Sequence, residues 1–126
     1  MSFPAAAKTM SFIITRDLAR AKEFYSQTLG FTQTGEDPFA AVFDLNGVML
    51  RITPVKDHQP QPHTVLGWEV QDIEAEVTAL TARGIKFQIY EGFGQDALGI
   101  WKSPDGKARV AWFHDPDGNN LSLAQF

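Results

Sequence analysis

Two stretches of this chain open alike. Asp17 precedes an apolar series at helical spacing (Leu18, Ala21, Phe24, Tyr25, Leu29) that stops at Gly30, and Asp72 precedes a second (Ile73, Val77, Leu80) that stops at Gly84. Each aspartate suits a helix N-cap, where its carboxylate accepts from an early backbone N–H, and each glycine suits a helix end, where it enters the left-handed region at little cost. Setting Asp17 on Asp72 places Leu18 on Ile73 and, one gap later, Gly30 on Gly84. The repeat has a period of about 55 residues. Such self-similarity constrains architecture more than any single motif, because each copy must be one supersecondary unit.

The flanking patterns complete the unit. Strands are predicted for Met10 to Thr15, Phe31 to Gly35, Phe39 to Leu45 and Val48 to Thr53, with a type I′ turn at Asn46-Gly47. A polar segment with two prolines and two histidines, residues 56–64, reads as a linker. The pattern restarts with strands at Val65 to Val70 and Ile85 to Glu91, then a glycine-containing stretch, residues 92–106, around Trp101. Ser103-Pro104-Asp105-Gly106 within it is a β-turn signal. Residues 107–125 close the chain as a hairpin turning at Asp115-Pro116-Asp117-Gly118. The prediction is one α+β domain over residues 1–126, with modules at about 9–55 and 65–126. Each is a βαβββ unit, and the curved mixed sheets form a concave pocket.

Composition narrows the function classes. The chain has no cysteine, which excludes disulfides, thiolate zinc sites and a cysteine nucleophile and fits a reducing cytoplasm. Eleven basic and fifteen acidic residues give a net charge of -4, which argues against nucleic acid and anionic membranes as partners. No apolar run approaches the ~20 residues of a membrane span.

Alternation along strands assigns faces. Leu66, Trp68 and Val70 suit packing under a helix, as do Leu50, Ile52, Leu121 and Leu123, so the second face carries Arg51, Glu69 and Ser122. The strand before the Asp115 turn has two facings; if Ala111 and Phe113 pack under a helix, Val110, Trp112 and His114 join the second face. A mostly apolar concavity with a few polar groups is what a small-molecule site looks like.

The two βαβββ units, the segment Trp-Glu-Val-Gln-Asp-Ile (residues 68–73) and the run Phe113-His114-Asp115-Pro116-Asp117-Gly118-Asn119 resemble the vicinal oxygen chelate superfamily, the glyoxalase/bleomycin-resistance/extradiol-dioxygenase fold. The resemblance covers the chain from about residue 9. It implies paired modules enclosing a site, homodimers at this chain length, and in catalytic members a divalent metal held by His, Gln or Glu. The ligand positions fall on Met10, Val65, Ser122 and Arg51. A thioether, an alkyl group, a neutral hydroxyl and a fixed cation make a poor set for a hard or borderline divalent ion. No cofactor is therefore expected; the alternative is an unusual metal set of His63, Glu69 and His114.

The candidate ligand-binding residues are Met10, Arg51, Glu69, Trp101, Trp112 and Ser122, and the candidate catalytic groups are Glu69 and His114. A carboxylate on an apolar face acts as a base or binds a cation, or else pairs with Arg51 or another basic side chain. Arg51 orients an anion or forms that pair. Trp112 and Trp101 stack on a flat or cationic ligand, or pack as wall and loop. His114 transfers a proton or bonds the turn backbone. His58 and His63 read as exposed loop residues, Tyr25 and Trp68 as core, Asp115 and Asp117 as turn formers. The expectation is a metal-free protein that binds or sequesters a planar or cationic organic molecule, like the antibiotic-binding branch of the superfamily. The alternative is a lyase, isomerase or dioxygenase-type enzyme acting on a small oxygenated metabolite.

Overall fold

Both aspartates cap helices as the repeat predicts in the computed structural model of the chain, which describes residues 2–126. Asp17 Oδ1 accepts from the Arg20 N–H at 3.1 Å and opens α1 (Leu18–Glu23); Asp72 Oδ1 accepts from the Ala75 N–H at 3.1 Å and opens α2 (Ile73–Ala82). Gly30 and Gly84 follow the helices at φ 80° and 96°. The chain divides into units Met1–His58 and Gln59–Phe126, a break inside the predicted linker. No helix among the described residues is long and apolar enough to cross a membrane.

The first unit contains β1 (Met10–Thr15), β2 (Thr32–Glu36), β3 (Ala41–Leu45) and β4 (Val48–Pro54), in the order β1-β4-β3-β2. β1 runs parallel to β4 and the other pairs are antiparallel, so the sheet is mixed. The β3–β4 turn has Asn46 at φ 52° and Gly47 at φ 98°, the two positive values a type I′ hairpin needs. The first helix departs from expectation. After Glu23 the chain widens into a π-helical stretch, Phe24–Thr28, in which the Leu29 N–H donates to the Phe24 carbonyl at 3.0 Å. The span from Asp17 to Gly30 is one residue longer than that from Asp72 to Gly84. A π turn takes up one extra residue, which accounts for the gap in the repeat. Tyr25 is fully buried against Phe43, ring centroids 6.4 Å apart, and Ile13, Leu50 and Ile52 are buried in the same unit.

The second unit repeats this order as β5-β8-β7-β6, with β5 (Thr64–Glu69) parallel to β8 (Asn120–Gln125), β8 antiparallel to β7 (Arg109–His114), and a two-residue β6 (Trp101–Lys102). Ile73, Val77, Ala111, Phe113, Leu121 and Leu123 form its core, and Trp68 stacks on Phe113 at 6.4 Å and 18°. The predicted strand over residues 85–91 is absent. Only Phe87 bridges Phe113 and the Gln88 N–H donates to the Trp112 carbonyl at 2.8 Å before the chain leaves the sheet. Gly92, Gly94 and Gly99, at φ 86°, 71° and 89°, hold it out of extended conformation. It returns as β6 within the glycine-containing stretch, for which no strand was predicted, so the outer partner of β7 is split in two.

Arg51 is fastened within the first unit. Its Nη2 donates to Asp37 Oδ2 at 2.7 Å, while Asp37 Oδ1 accepts from the Phe39 and Ala40 N–H groups at 2.8 and 2.9 Å. The Arg51 hydrogen bond, then the Phe39 amide, hold the Asp37 carboxyl below the ordinary aspartate value. A depressed carboxyl stabilises the fold at pH above its unfolded value, and that contribution is lost as pH falls through the folded value. Asp37→Asn is therefore expected to flatten the acid-side decline of Tm, a small effect because the pair is at the surface. A decline as steep as that of the wild type in a Tm-against-pH series would contradict this.

Candidate functional site

Strand register lays out the second face of the second sheet. Across β5, β8 and β7, Gly67 stands beside Ser122 and Ser122 beside Trp112. In the next row Glu69 stands beside Ala124, Ala124 beside Val110 and Val110 beside Trp101 of β6. The middle of this face is built from Gly67, Ser122 and Ala124, three small residues. Glu69 lies exposed on the edge strand at one side, and tryptophans rise on the other. By side-chain size this outlines a trough: a low floor bearing one hydroxyl, a carboxylate margin and an aromatic wall.

The wall is larger than the sequence showed. Trp101 and Trp112 are joined by Tyr90 and Phe93. Ring centroids lie 6.3 Å apart for Trp101–Trp112, 5.6 Å for Tyr90–Trp112 and 6.0 Å for Phe93–Trp112, and the last two pairs meet edge to face. Tyr90 and Phe93 sit on the excursion between the two partners of β7. One side chain braces it: Gln95 Oε1 accepts from the Tyr90 N–H at 2.7 Å, and Nε2 donates to the Gln88 and Gly99 carbonyls at 2.8 Å each. Asp96 Oδ1 adds bonds from the Leu98 and Ile100 N–H groups, both at 2.9 Å. The sequence does not mark these residues: Tyr90 falls in a segment that alternates like a strand but does not form one, and Phe93 and Gln95 follow in a stretch that is neither helix nor strand.

The register does not unite the other candidates. Glu69 and His114 share a face but are separated by two strands and four residues along β7. At ~4.8 Å per strand and ~3.3 Å per residue their Cα atoms are roughly 16 Å apart, too far to work on one bond. His114 is exposed and lines a cleft of about 250 Å³ with Pro60, Pro62, Tyr90 and Gly118. Nor does it satisfy the turn backbone; Asp115 does, accepting from the Asp117 and Asn119 N–H groups at 3.0 Å each and from Asn119 Nδ2 at 2.8 Å. His58 is half-buried, not an exposed loop residue, while His63 is exposed.

Met10 and Arg51 belong to the first sheet. Met10 stands beside Met49, both part-exposed, along a groove of about 560 Å³ that also touches Thr32, Val42 and Asp44. Arg51 stands between Phe12 and Val42. Its carboxylate partner is Asp37, not Glu69.

These residues do not fit a divalent metal. Met10 brings a thioether that is 49% exposed, Val65 has no donor atom, Arg51 is a cation already paired, and the Ser122 hydroxyl is neutral. No group of three or more His, Cys, Asp or Glu among the described residues is placed to hold an ion, and His63, Glu69 and His114 form no such set.

Known proteins share this arrangement. The family model for the Glyoxalase/Bleomycin resistance protein/Dioxygenase superfamily matches residues 6–123. A putative glyoxalase family protein from Bacillus anthracis superposes with a TM-score of 0.75 at 14% identity, covering 99% of this chain and 98% of that one. A glyoxalase/bleomycin resistance protein/dioxygenase from Nocardioides gives 0.72 at 22% identity, covering 99% and 86%. The genomically encoded fosfomycin resistance protein FosX from Listeria monocytogenes gives 0.74 at 14%, covering 98% and 95%. No curated protein matches the sequence. At these identities the structures establish a shared fold, and together with the family match they place the chain in the glyoxalase/bleomycin resistance protein/dioxygenase superfamily.

Proposed function

We propose that this protein binds a small planar or cationic organic molecule, without a metal ion, in the trough on the second face of its second sheet. The observation that carries the reading is the row Gly67–Ser122–Trp112, which sets a low floor with one hydroxyl directly against an indole. An indole face attracts a flat or positively charged ring through its quadrupole. Glu69 across the floor adds a charge of the sign a cation requires. A braced aromatic wall lowers the ordering cost of binding, since the rings are already in place. The approximately 16 Å between Glu69 and His114 speaks against a paired acid–base mechanism and favours binding over turnover.

Metal content and ligand response are the tests. Protein purified without added metal is expected to contain no stoichiometric transition metal by elemental analysis. A thermal-shift screen is expected to find flat cations that raise Tm, with the gain following RT ln(1 + [L]/Kd), about 2.7 kcal/mol at a hundredfold excess over Kd. Glu69→Gln is expected to weaken cationic compounds about tenfold and leave neutral ones unchanged, as loss of one charge-assisted contact requires. A bound stoichiometric metal, or a Glu69→Gln protein that binds cations as tightly as the wild type, would sink the proposal.

A further inference from the structure

The floor of the trough holds an unused hydroxyl. Ser122 is only 9% exposed, but its Oγ reaches solvent: the buried side-chain atom without a partner among the described residues is Asn120 Oδ1. A hydroxyl that water reaches can exchange that water for a ligand's polar group at little cost. Access depends on Gly67. A Cβ on that residue would lie 2.8 Å from Ser122 Oγ and 3.2 Å from the Ser122 carbonyl oxygen, so any side chain there would cover the hydroxyl. Gly67 is itself exposed and its backbone is not in the left-handed region, so no turn demands a glycine. What the missing side chain does is keep a notch open above Ser122, beside Trp112 and one strand step (about 6.6 Å) from Glu69.

We infer that the trough selects flat cationic rings carrying a hydrogen-bonding substituent, such as an amide, carbonyl or hydroxyl. The substituent enters the notch over Gly67 and bonds Ser122 Oγ, the ring rests on Trp112, and the charge lies toward Glu69. Gly67 thereby determines specificity through what it lacks. The inference rests on the binding function proposed above and adds the class of ligand.

A matched pair of probes tests it: 1-methylnicotinamide, a flat cation with a carboxamide, and 1-methylpyridinium, the same ring without it. By isothermal titration calorimetry the wild type is expected to bind the first about tenfold more tightly, the net worth of one added hydrogen bond. Ser122→Ala, which removes one oxygen and leaves the packing intact, is expected to bring the ratio to about one. Gly67→Ala is expected to do the same by closing the notch. Equal affinities in the wild type, or a ratio that survives Ser122→Ala, would overturn the inference and leave the binding site standing. Failure of both probes to bind the wild type would overturn the binding site as well.

Discussion

Asp115→Ala is expected to destabilise the second unit by about 3 kcal/mol, one of the two largest losses foreseen here. Asp115 is 5% exposed, and its carboxylate receives the Asp117 N–H, the Asn119 N–H and the Asn119 side-chain amide. Each bond is charge-assisted. Alanine leaves all three donors without that acceptor inside a turn where Asp117 and Asn119 are also buried, at 2% and 3% exposure. The backbone bonds from Gly118 N–H to Asp115 O and from Asp115 N–H to Asn119 O would remain, at 2.9 and 3.1 Å, so the hairpin loses its internal acceptor and not its path. Asp115→Asn separates charge from geometry. Its oxygen can still serve the two backbone donors, but its amide would face the Asn119 amide, donor against donor, so an intermediate loss is expected. Urea unfolding of the three proteins measures the series. A loss under about 1 kcal/mol for Asp115→Ala would show that water replaces the carboxylate at little cost.

That turn shows why much of the fold was legible. Asp-Pro-Asp-Gly names its own conformation, as Asn46-Gly47 does, because the residues tolerate the required φ values locally. The capping aspartates and terminal glycines carry the same kind of information, and their recurrence fixed the βαβββ unit twice. Alternation then assigned faces correctly on β4, β5 and β8, where one side is buried under a helix: Leu50, Ile52, Leu121 and Leu123 are buried, and Leu66 and Trp68 are half-buried. On β7 alternation left two facings, and the burial of Ala111 and Phe113 decides between them.

The misreadings share a cause. Residues 85–91 alternate as a strand should, but a strand also needs an edge to pair with, and the glycines after Tyr90 lift the chain away after one bridge. A pair between Arg51 and Glu69 was one of the readings open to both residues, because both fall on second faces. Its partner is Asp37, whose carboxylate already organises the connection at Phe39 and Ala40. Face is readable from a period of two; the choice of partner depends on loop geometry that no period encodes. The same holds for the site. Ser122 and Glu69 were readable by facing, and Trp112 under one of its two facings, whereas the notch at Gly67 appears only when the register sets it beside Ser122.

Gln95→Ala is the second large effect, and it concerns the part of the site the sequence hid. The half-buried amide of Gln95 holds three backbone groups, at residues 88, 90 and 99, on both arms of the excursion. Three bonds at about 1 kcal/mol each, with an added penalty where the freed groups stay buried, give an expected loss of 2–3 kcal/mol. Because the excursion makes only one bridge to the sheet, the loss is expected as local opening and not as global unfolding. Amide exchange at Tyr90 should then accelerate about 30- to 150-fold, while slow core amides such as those of Leu121 and Leu123 keep their rates. The wall should loosen with it. Tyr90 and Phe93 meet Trp112 only through the excursion, so the near-UV circular dichroism of the tryptophans should weaken and their emission shift to the red. Gln95→Glu discriminates between a brace and a simple filler. A carboxylate can still accept from the Tyr90 N–H but cannot donate to the Gln88 and Gly99 carbonyls, so it should rescue only part of the exchange rate and little of the dichroism. Full rescue by glutamate, or an alanine variant with wild-type dichroism, would show that the aromatic cluster holds itself together by ring packing alone.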